Sequence, residues 1–275
     1  MAVVTDSTAC LPAARAAAAG VTVVPLRVVL GPREGAEDEI APAEVAEALR
    51  RRVRVTTSAP SPRALRAAYA AAMSAGATGV VSVHLSTSWS GTLAAAQSAA
   101  AEAPLPVTVV DAGTLAGPLA WAALDAAAAA TAGGSLDEVA AAAGRSAERS
   151  SMWFLVPTLE HLRRGGRIRT GSALLGTALA VKPILRVHGG ALETVDRVRT
   201  LARALDRLVE VTSGPVAGSS RVTVHHLGDA DRAAELVARL APLTAATVEV
   251  VEVGAVIGAH VGPGVLAVAV DGVAP

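Results

Sequence analysis

Aromatic residues are nearly missing from this chain, at 2% of the sequence. Without them there is no row of rings on which the bases of single-stranded nucleic acid could stack. A surplus of either charge is missing too: 24 basic and 24 acidic residues give a formal net charge of +0. That removes the electrostatic case for nucleic acid or an anionic membrane. The one cysteine, Cys10, excludes an intrachain disulfide and a multi-thiolate zinc site. Lys182 is the single lysine, a bias toward arginine that reflects coding composition rather than function. No G-K-[ST] phosphate loop occurs, and GGR and GPG do not make a G-x-G-x-x-G fingerprint. The nucleophile elbow of a hydrolase is absent as well, because Trp89-Ser90-Gly91 has Ser88 where its first glycine would stand. No basic stretch followed by an apolar one opens the chain, so no signal peptide is expected. The alanine-rich stretch Leu119–Thr131 is broken by Asp125 and is too weakly apolar to span a bilayer. A soluble cytoplasmic protein is the expectation.

Hydrophobic residues make up 52% of 275 positions, comfortable for two cores. The first half alternates strand-like runs (Val3–Thr5, Val21–Leu30, Ala77–Val83, Val107–Val110) with alanine-rich helical stretches. The helical stretches are Pro12–Ala19, Pro42–Arg51, Pro62–Ala75, Thr92–Ala103 and Thr114–Thr131, several with proline at the start, where a helix tolerates it. Such alternation implies a largely parallel sheet flanked by helices. Leu136–Glu148 reads as one more helix. After Ser150 the texture changes: a strand at Met152–Val156, a short helix at Thr158–Leu162 and a charged turn from Leu162 to Ile168. Val181–Val187 and Ala191–Val195 predict a hairpin through His188-Gly189-Gly190. Strands near Arg221–His226, Thr247–Val253 and Val265–Val270, with helices at Val198–Thr212 and Ala230–Ala241, complete a mixed sheet with helices. The expected organisation is two α/β domains, 1–150 and 151–275.

Small hydroxyl- and glycine-rich turns follow several of the strands. Val3-Val4 leads into Thr5-Asp6-Ser7-Thr8, and Val53–Val55 into Thr56-Thr57-Ser58-Ala59-Pro60-Ser61. Gly79–Val83 leads into His84 and then Ser86-Thr87-Ser88-Trp89-Ser90-Gly91-Thr92. In an open α/β sheet, turns at the carboxyl ends of strands converge on one crevice, where ligands bind. Short hydroxyls and free N–H groups at a helix start suit a small anion such as a carboxylate or phosphate.

The ordered set VVTDST, TTSAPS (56–61), LSTSWSGT (85–92), Asp111, LRRGGRI (162–168), VKPIL (181–185), VRT (198–200) and HVGPG (260–264) resembles the DegV family. These are fatty-acid-binding proteins that serve bacterial fatty acid kinase. The resemblance covers nearly the whole chain. It implies a long-chain fatty acid in a tunnel, its carboxylate held at the interface between two α/β domains. A separate ATP-dependent kinase would phosphorylate that carboxylate. The binding protein itself would do no chemistry, need no cofactor or metal, and act in phospholipid metabolism, with transient membrane contact and no nucleic-acid partner. Carried over by position, the carboxylate ligands are Thr57, Ser90, the backbone of Gly91, and His260. Arg167 and Arg199, with Ser58 and Thr92, are supporting or partner-facing. Ala59 replaces the family's usual glutamine, Trp89 and Leu93 flank SGT in an unusual way, and Gly31–Ile40 lacks an expected aromatic-plus-aspartate loop. These departures bear on ligand preference more than on fold.

Each residue has a plainer reading. Thr57 and Ser61 could cap the helix that follows Pro62, and Ser90 could be an ordinary N-cap. His260 could be a satisfied loop histidine. Arg163, Arg164, Arg167 and Arg169 could form a solvated face, and Arg199 could pair with Asp196. Lys182 reads as structural, and Asp6 and Asp111 as turn caps. His225 and His226 do not make a metal site, because neighbours on a strand point to opposite faces. Two functions compete with fatty acid binding: a module for another small anion (phosphate or a sugar acid), and a lipid hydrolase using Ser86 or Ser90, His260 and Asp6 or Asp111.

Overall fold

A computed structural model of the chain describes residues 1–168 and 181–272. In chain order the first half forms β1 (Ala2–Asp6), α1 (Ala13–Ala18), β2 (Val21–Val24), β3 (Arg27–Leu30), β4 (Arg33–Ala36), α2 (Pro42–Arg50), β5 (Val55–Ser58) and α3 (Pro62–Ser74). It continues through β6 (Val80–His84), α4 (Thr92–Ala101), β7 (Val107–Asp111), α5 (Ala116–Thr131) and α6 (Leu136–Glu148). Then come β8 (Ser150–Leu155), α7 (Glu160–Arg164), β9 (Lys182–His188), β10 (Ala191–Val198) and α8 (Leu201–Ala217). The last elements are β11 (Arg221–His226), α9 (Ala230–Leu240), β12 (Val248–Glu252), α10 (Ala255–Val261) and β13 (Leu266–Asp271).

Contacts group these elements into two compact units. The first comprises Met1–Arg27, Ala36–Asp38 and Ser58–Glu148, and the second Val28–Gly35, Glu39–Thr57 and Arg149–Pro275. Residues 28–35 and 39–57 thus group with the second unit, although they precede most of the first in the chain. The architecture is mixed α/β, with one parallel and one mixed sheet, as the alternation of the sequence implies.

The first unit holds a four-stranded sheet in the order β2-β1-β6-β7, parallel throughout. A parallel sheet is covered on both faces, so its strands read as apolar runs; every residue of β6 is buried. Around it the core is built from small side chains. Ala122, Ala123 and Ala126 of α5 meet Val139 and Ala143 of α6, with Val81 and Val83 beneath. Ser61 caps α3 by accepting from the Ala64 N–H at 3.2 Å, and Ser135 and Glu138 form a reciprocal capping box at the start of α6.

The second unit holds a six-stranded mixed sheet in the order β10-β9-β8-β13-β11-β12. One face packs Trp153, Leu155, Ile184 and Val268 against Leu205 and Leu208 of α8 and Leu236 of α9. The predicted hairpin is present, with Gly189 and Gly190 at φ +54° and +79°. Two consecutive positive φ values suit a two-residue turn that matches strand twist. β10 runs three residues beyond the predicted Val195, because a bulge between Thr194 and Asp196 lets pairing resume. A three-stranded sheet, β4-β3-β5, lies almost wholly in the second unit.

Four expectations are corrected. The strand predicted over Val21–Leu30 is two strands in different sheets, broken at Pro25, whose missing N–H interrupts a ladder. The hydroxyl turn at residues 56–58 is the body of β5. The charged turn begins one helical turn later, since α7 continues to Arg164 and is closed by Gly165. The loop expected around His260 is the last turn of α10.

Candidate functional site

Within the first unit, β1 has β2 on one side and β6 on the other, so the winding of the sheet reverses between β1 and β6. The crevice beyond the carboxyl ends of two such strands is where open α/β sheets bind ligands. Asp6 ends β1 and His84 ends β6. Their side chains meet, Nδ1 of His84 donating to Oδ2 of Asp6 at 2.9 Å. The same Oδ2 accepts the Leu85 N–H at 3.1 Å, while Oδ1 accepts the N–H of Thr8 at 3.0 Å and its hydroxyl. Behind His84, Nε2 lies 2.8 Å from the Ser82 hydroxyl, which accepts from the Tyr69 hydroxyl at 2.9 Å. All four side chains are fully buried. One chain of donors thus runs Tyr69, Ser82, His84, Asp6 and ties the turn after β1 to the turn after β6.

The second turn carries Ser90, Gly91 and Thr92. Ser90 Oγ accepts the Thr92 N–H at 3.2 Å and lies 2.8 Å from the Thr92 hydroxyl. Ser90 therefore closes its own turn at the start of α4, satisfying one of the N–H groups that a helix leaves unpaired there. The half-buried Ser90 and exposed Gly91 precede a fully buried Thr92. A Cβ on Gly91 would meet nothing within 4 Å, so protein packing does not require a glycine there.

Within the second unit, Thr57 near the end of β5 meets His260 near the end of α10, Thr57 Oγ1 lying 2.8 Å from His260 Nε2. Burial, aided by the charge of Arg167, pushes His260 down to about 4, so the ring is neutral at pH 7 and carries one N–H. Nδ1 is buried and has no hydrogen-bond partner among the described residues. An orphaned buried N–H is rarer than an unpaired acceptor. This favours a proton on Nε2, donated to Thr57 Oγ1, an arrangement that leaves the Thr57 hydroxyl hydrogen for another acceptor. Arg167 donates from Nη1 to the Gly165 carbonyl at 2.5 Å, at the end of α7. Burial holds its guanidinium below the usual value.

The other sequence candidates are more loosely placed. Ser58 is exposed at the end of β5, and Arg199 is exposed between β10 and α8 with no partner among the described residues. Asp196 bonds Arg207 at 2.6 Å and not Arg199. Arg164 pairs with Glu160, Arg163 is exposed, and Arg169 lies outside the described residues. Asp111 accepts from Thr87 and Gly113 as a turn cap, and Lys182 Nζ donates to the Pro157 carbonyl at 2.7 Å. Among the described residues no cluster of His, Cys, Asp and Glu could hold a metal, and no helix is long and apolar enough to cross a membrane. Sequence reasoning missed Gly165 and the Tyr69–Ser82–His84 series. Only a histidine ending an apolar strand opposite an aspartate ending another pointed to the latter.

These features define a class first: an α/β protein with a parallel sheet whose polar turns converge at a switch point, and a second unit in which a neutral histidine on α10 meets a threonine on β5. A family model described as "Uncharacterised protein, DegV family" matches residues 1–272. A DegV domain-containing protein of Streptomyces coelicolor is 48% identical over 98% of both chains. Among solved structures, a DegV family protein from Thermus thermophilus, described for its fatty acid binding, is 35% identical. It covers 98% of this chain and 99% of its own, with TM-score 0.88. DegV of Bacillus subtilis, described as a fatty acid binding protein, is 29% identical over 98% and 97%, with TM-score 0.87. The chain belongs to the DegV family.

Proposed function

We propose that this chain binds one long-chain fatty acid and presents its carboxylate to a separate ATP-dependent kinase for acyl phosphate formation. Thr57, Ser90, the Gly91 N–H and His260 form the head-group set. The observation that carries the reading is the Thr57–His260 pair. A neutral imidazole donating to a hydroxyl turns that hydroxyl into a donor, and a carboxylate is an acceptor-only group. Neutral donors orient a carboxylate and leave it reactive, whereas a bidentate arginine would hold it more firmly. The fatty acid binding described for the Thermus and Bacillus relatives supports the choice of ligand. The tail supplies most of the affinity: burying ~14 methylenes at ~0.8 kcal/mol each offers roughly 11 kcal/mol before ordering and association costs.

Arg199, exposed and unpartnered among the described residues, and Arg167 serve the transfer step, where charge develops on carboxyl and phosphoryl oxygens. The domain boundary near 150, the cytoplasmic location, a role in phospholipid metabolism and a transient membrane contact belong to the same proposal. The hydrolase alternative has little support, since Asp6 commits both oxygens to His84, Thr8 and Leu85, and Asp111 accepts from Thr87 and Gly113. Native mass spectrometry before and after organic extraction tests the ligand. The expected result is one acyl chain of about C14–C18 per protein, the length the tail arithmetic favours. No recovered lipid, together with calorimetry showing no binding of such acids, overturns the reading and leaves the small-anion module. With labelled ATP and a kinase subunit, Arg199→Ala and His260→Ala should lower acyl phosphate formation more than they lower fatty acid affinity. Turnover by this chain alone overturns the carrier role.

A further inference from the structure

In the second unit, α7 and α10 interlock through two reciprocal contacts between a histidine and a glycine. His260, near the end of α10, lies against Gly165, which closes α7. A Cβ on Gly165 would fall 2.2 Å from Nδ1 of His260 and 2.9 Å from Cε1. His161, in α7, lies against Gly262, which closes α10. A Cβ on Gly262 would fall 2.3 Å from Cδ2 of His161 and 2.8 Å from Nε2. No real Cβ tolerates such distances, so each ring occupies the space that a side chain on the other helix would need.

The two glycines are required for different reasons. Gly262 has φ +78°, a conformation that L side chains rarely adopt, so backbone and contact both demand glycine. Gly165 has φ −73° and ψ −6°, ordinary right-handed geometry open to any residue. The imidazole of His260 is what excludes a side chain there; the His161 carbonyl, 3.2 Å from such a Cβ, would be crowded but not overlapped. The arrangement also faces Nδ1 toward an aliphatic Cα, which offers no acceptor, and this accounts for its having no partner among the described residues.

We propose that Gly165, Gly262 and His161 are positioning residues that seat the His260 ring, hold its proton on Nε2 and thereby set the direction in which the Thr57 hydroxyl donates. Gly165 admits the ring edge, Gly262 with His161 fixes the end of the helix that carries it, and Arg167 anchors the Gly165 carbonyl. The link to carboxylate recognition rests on the function proposed above; the seat and the tautomer do not.

The decisive experiment is long-range nitrogen-15 NMR of the imidazoles in delipidated protein, with His260 assigned by comparison with His260→Gln. The wild type should show His260 as the Nε2–H tautomer, and Gly165→Ala should give a mixed tautomer. In a binding assay with palmitate and hexadecanol, Gly165→Ala should weaken the acid about tenfold, the loss of one charge-assisted hydrogen bond. The alcohol should change by less than about twofold on the same scale. If Gly165→Ala alone folds poorly, adding His260→Ala should restore its unfolding midpoint, because the clash leaves with the ring. An Nδ1–H tautomer in the wild type, unchanged His260 signals in Gly165→Ala, or a double variant no more stable than the single one overturns the proposal. A wild type that binds neither probe overturns the fatty acid reading and leaves the tautomer result to decide the seat.

Discussion

One polar cluster in each unit invites comparison, because the two hold their hydrogen-bonding groups in opposite ways. In the first, every polar atom of the Tyr69–Ser82–His84–Asp6 series is used within the protein, and Ser90 completes its own turn with Thr92. In the second, the Thr57–His260 pair is left incomplete: Nδ1 has no hydrogen-bond partner among the described residues. A buried network that satisfies itself specifies structure, because breaking it strands charges and donors. A pair left one bond short is poised for something else to complete it. The first unit should therefore respond to mutation mainly in stability, and the second mainly in binding.

The largest effect should come from Asp6→Ala, which strands buried His84 and removes the acceptor for the N–H groups of Thr8 and Leu85. A loss of about 3–5 kcal/mol is expected, read from the urea unfolding midpoint. A change under about 1 kcal/mol, the size of an ordinary substitution, would mean the network is incidental and would erase the contrast.

Acid should act on the second unit. His225 and His260 are both pushed down to about 4, each chiefly by burial. Unfolded, each titrates near 6.5. Between those values the unfolded chain binds more protons, so stability falls as pH drops through the window and is flat above it. Each histidine should remove about 2 kcal/mol between pH 7 and pH 5. His260→Gln should take away its share of that slope in calorimetric unfolding scans; an unchanged slope would show that His260 is accessible to protons in the fold.

Binding is the third measure. Thr57→Val and Ser90→Ala should each weaken fatty acid binding by about 1–3 kcal/mol, the range for a hydrogen bond to a charged group. Thr57→Val should lose more, because an imidazole directs that hydroxyl, whereas Ser90 and Thr92 can exchange donor and acceptor roles. Titration calorimetry ranks the two; the reverse order would shift the weight of recognition to the first unit. The smallest effect belongs to Gly91→Ala. With open space around its Cβ position and φ −77°, stability should move by no more than about 1 kcal/mol at this cap. A large loss of binding beside unchanged stability would show that ligand comes too close to the Gly91 backbone to leave room for a side chain.

How much of this was legible in the sequence depended on how far apart the partners lie. The alternation of strand and helix that implies the parallel sheet, the capping of α3 by Ser61 and the glycine hairpin at 189–190 all rest on patterns within a few positions of one another. Propensity, periodicity and turn chemistry speak directly to such features. The split at Pro25 is equally local, but apolar residues on both sides of the proline make the run read as one strand. Ser90 with Thr92 is also an i, i+2 feature, and its polar turn stands out in the chain. Thr57 and His260 were named only through the family pattern, since 203 positions separate them and nothing local joins them.

By itself, then, the sequence determined the class of fold, the position of the polar turns after β1 and β6, and membership of a family whose motifs run the length of the chain. Tertiary structure decided the rest. It made α10 a helix where an apolar, glycine-flanked run carries no clear period, and set one imidazole against Gly165 and another against Gly262. A side chain's protonation state and hydrogen-bond direction depend on what surrounds it in space, and burial of a histidine is a property of packing that no run of neighbouring residues encodes.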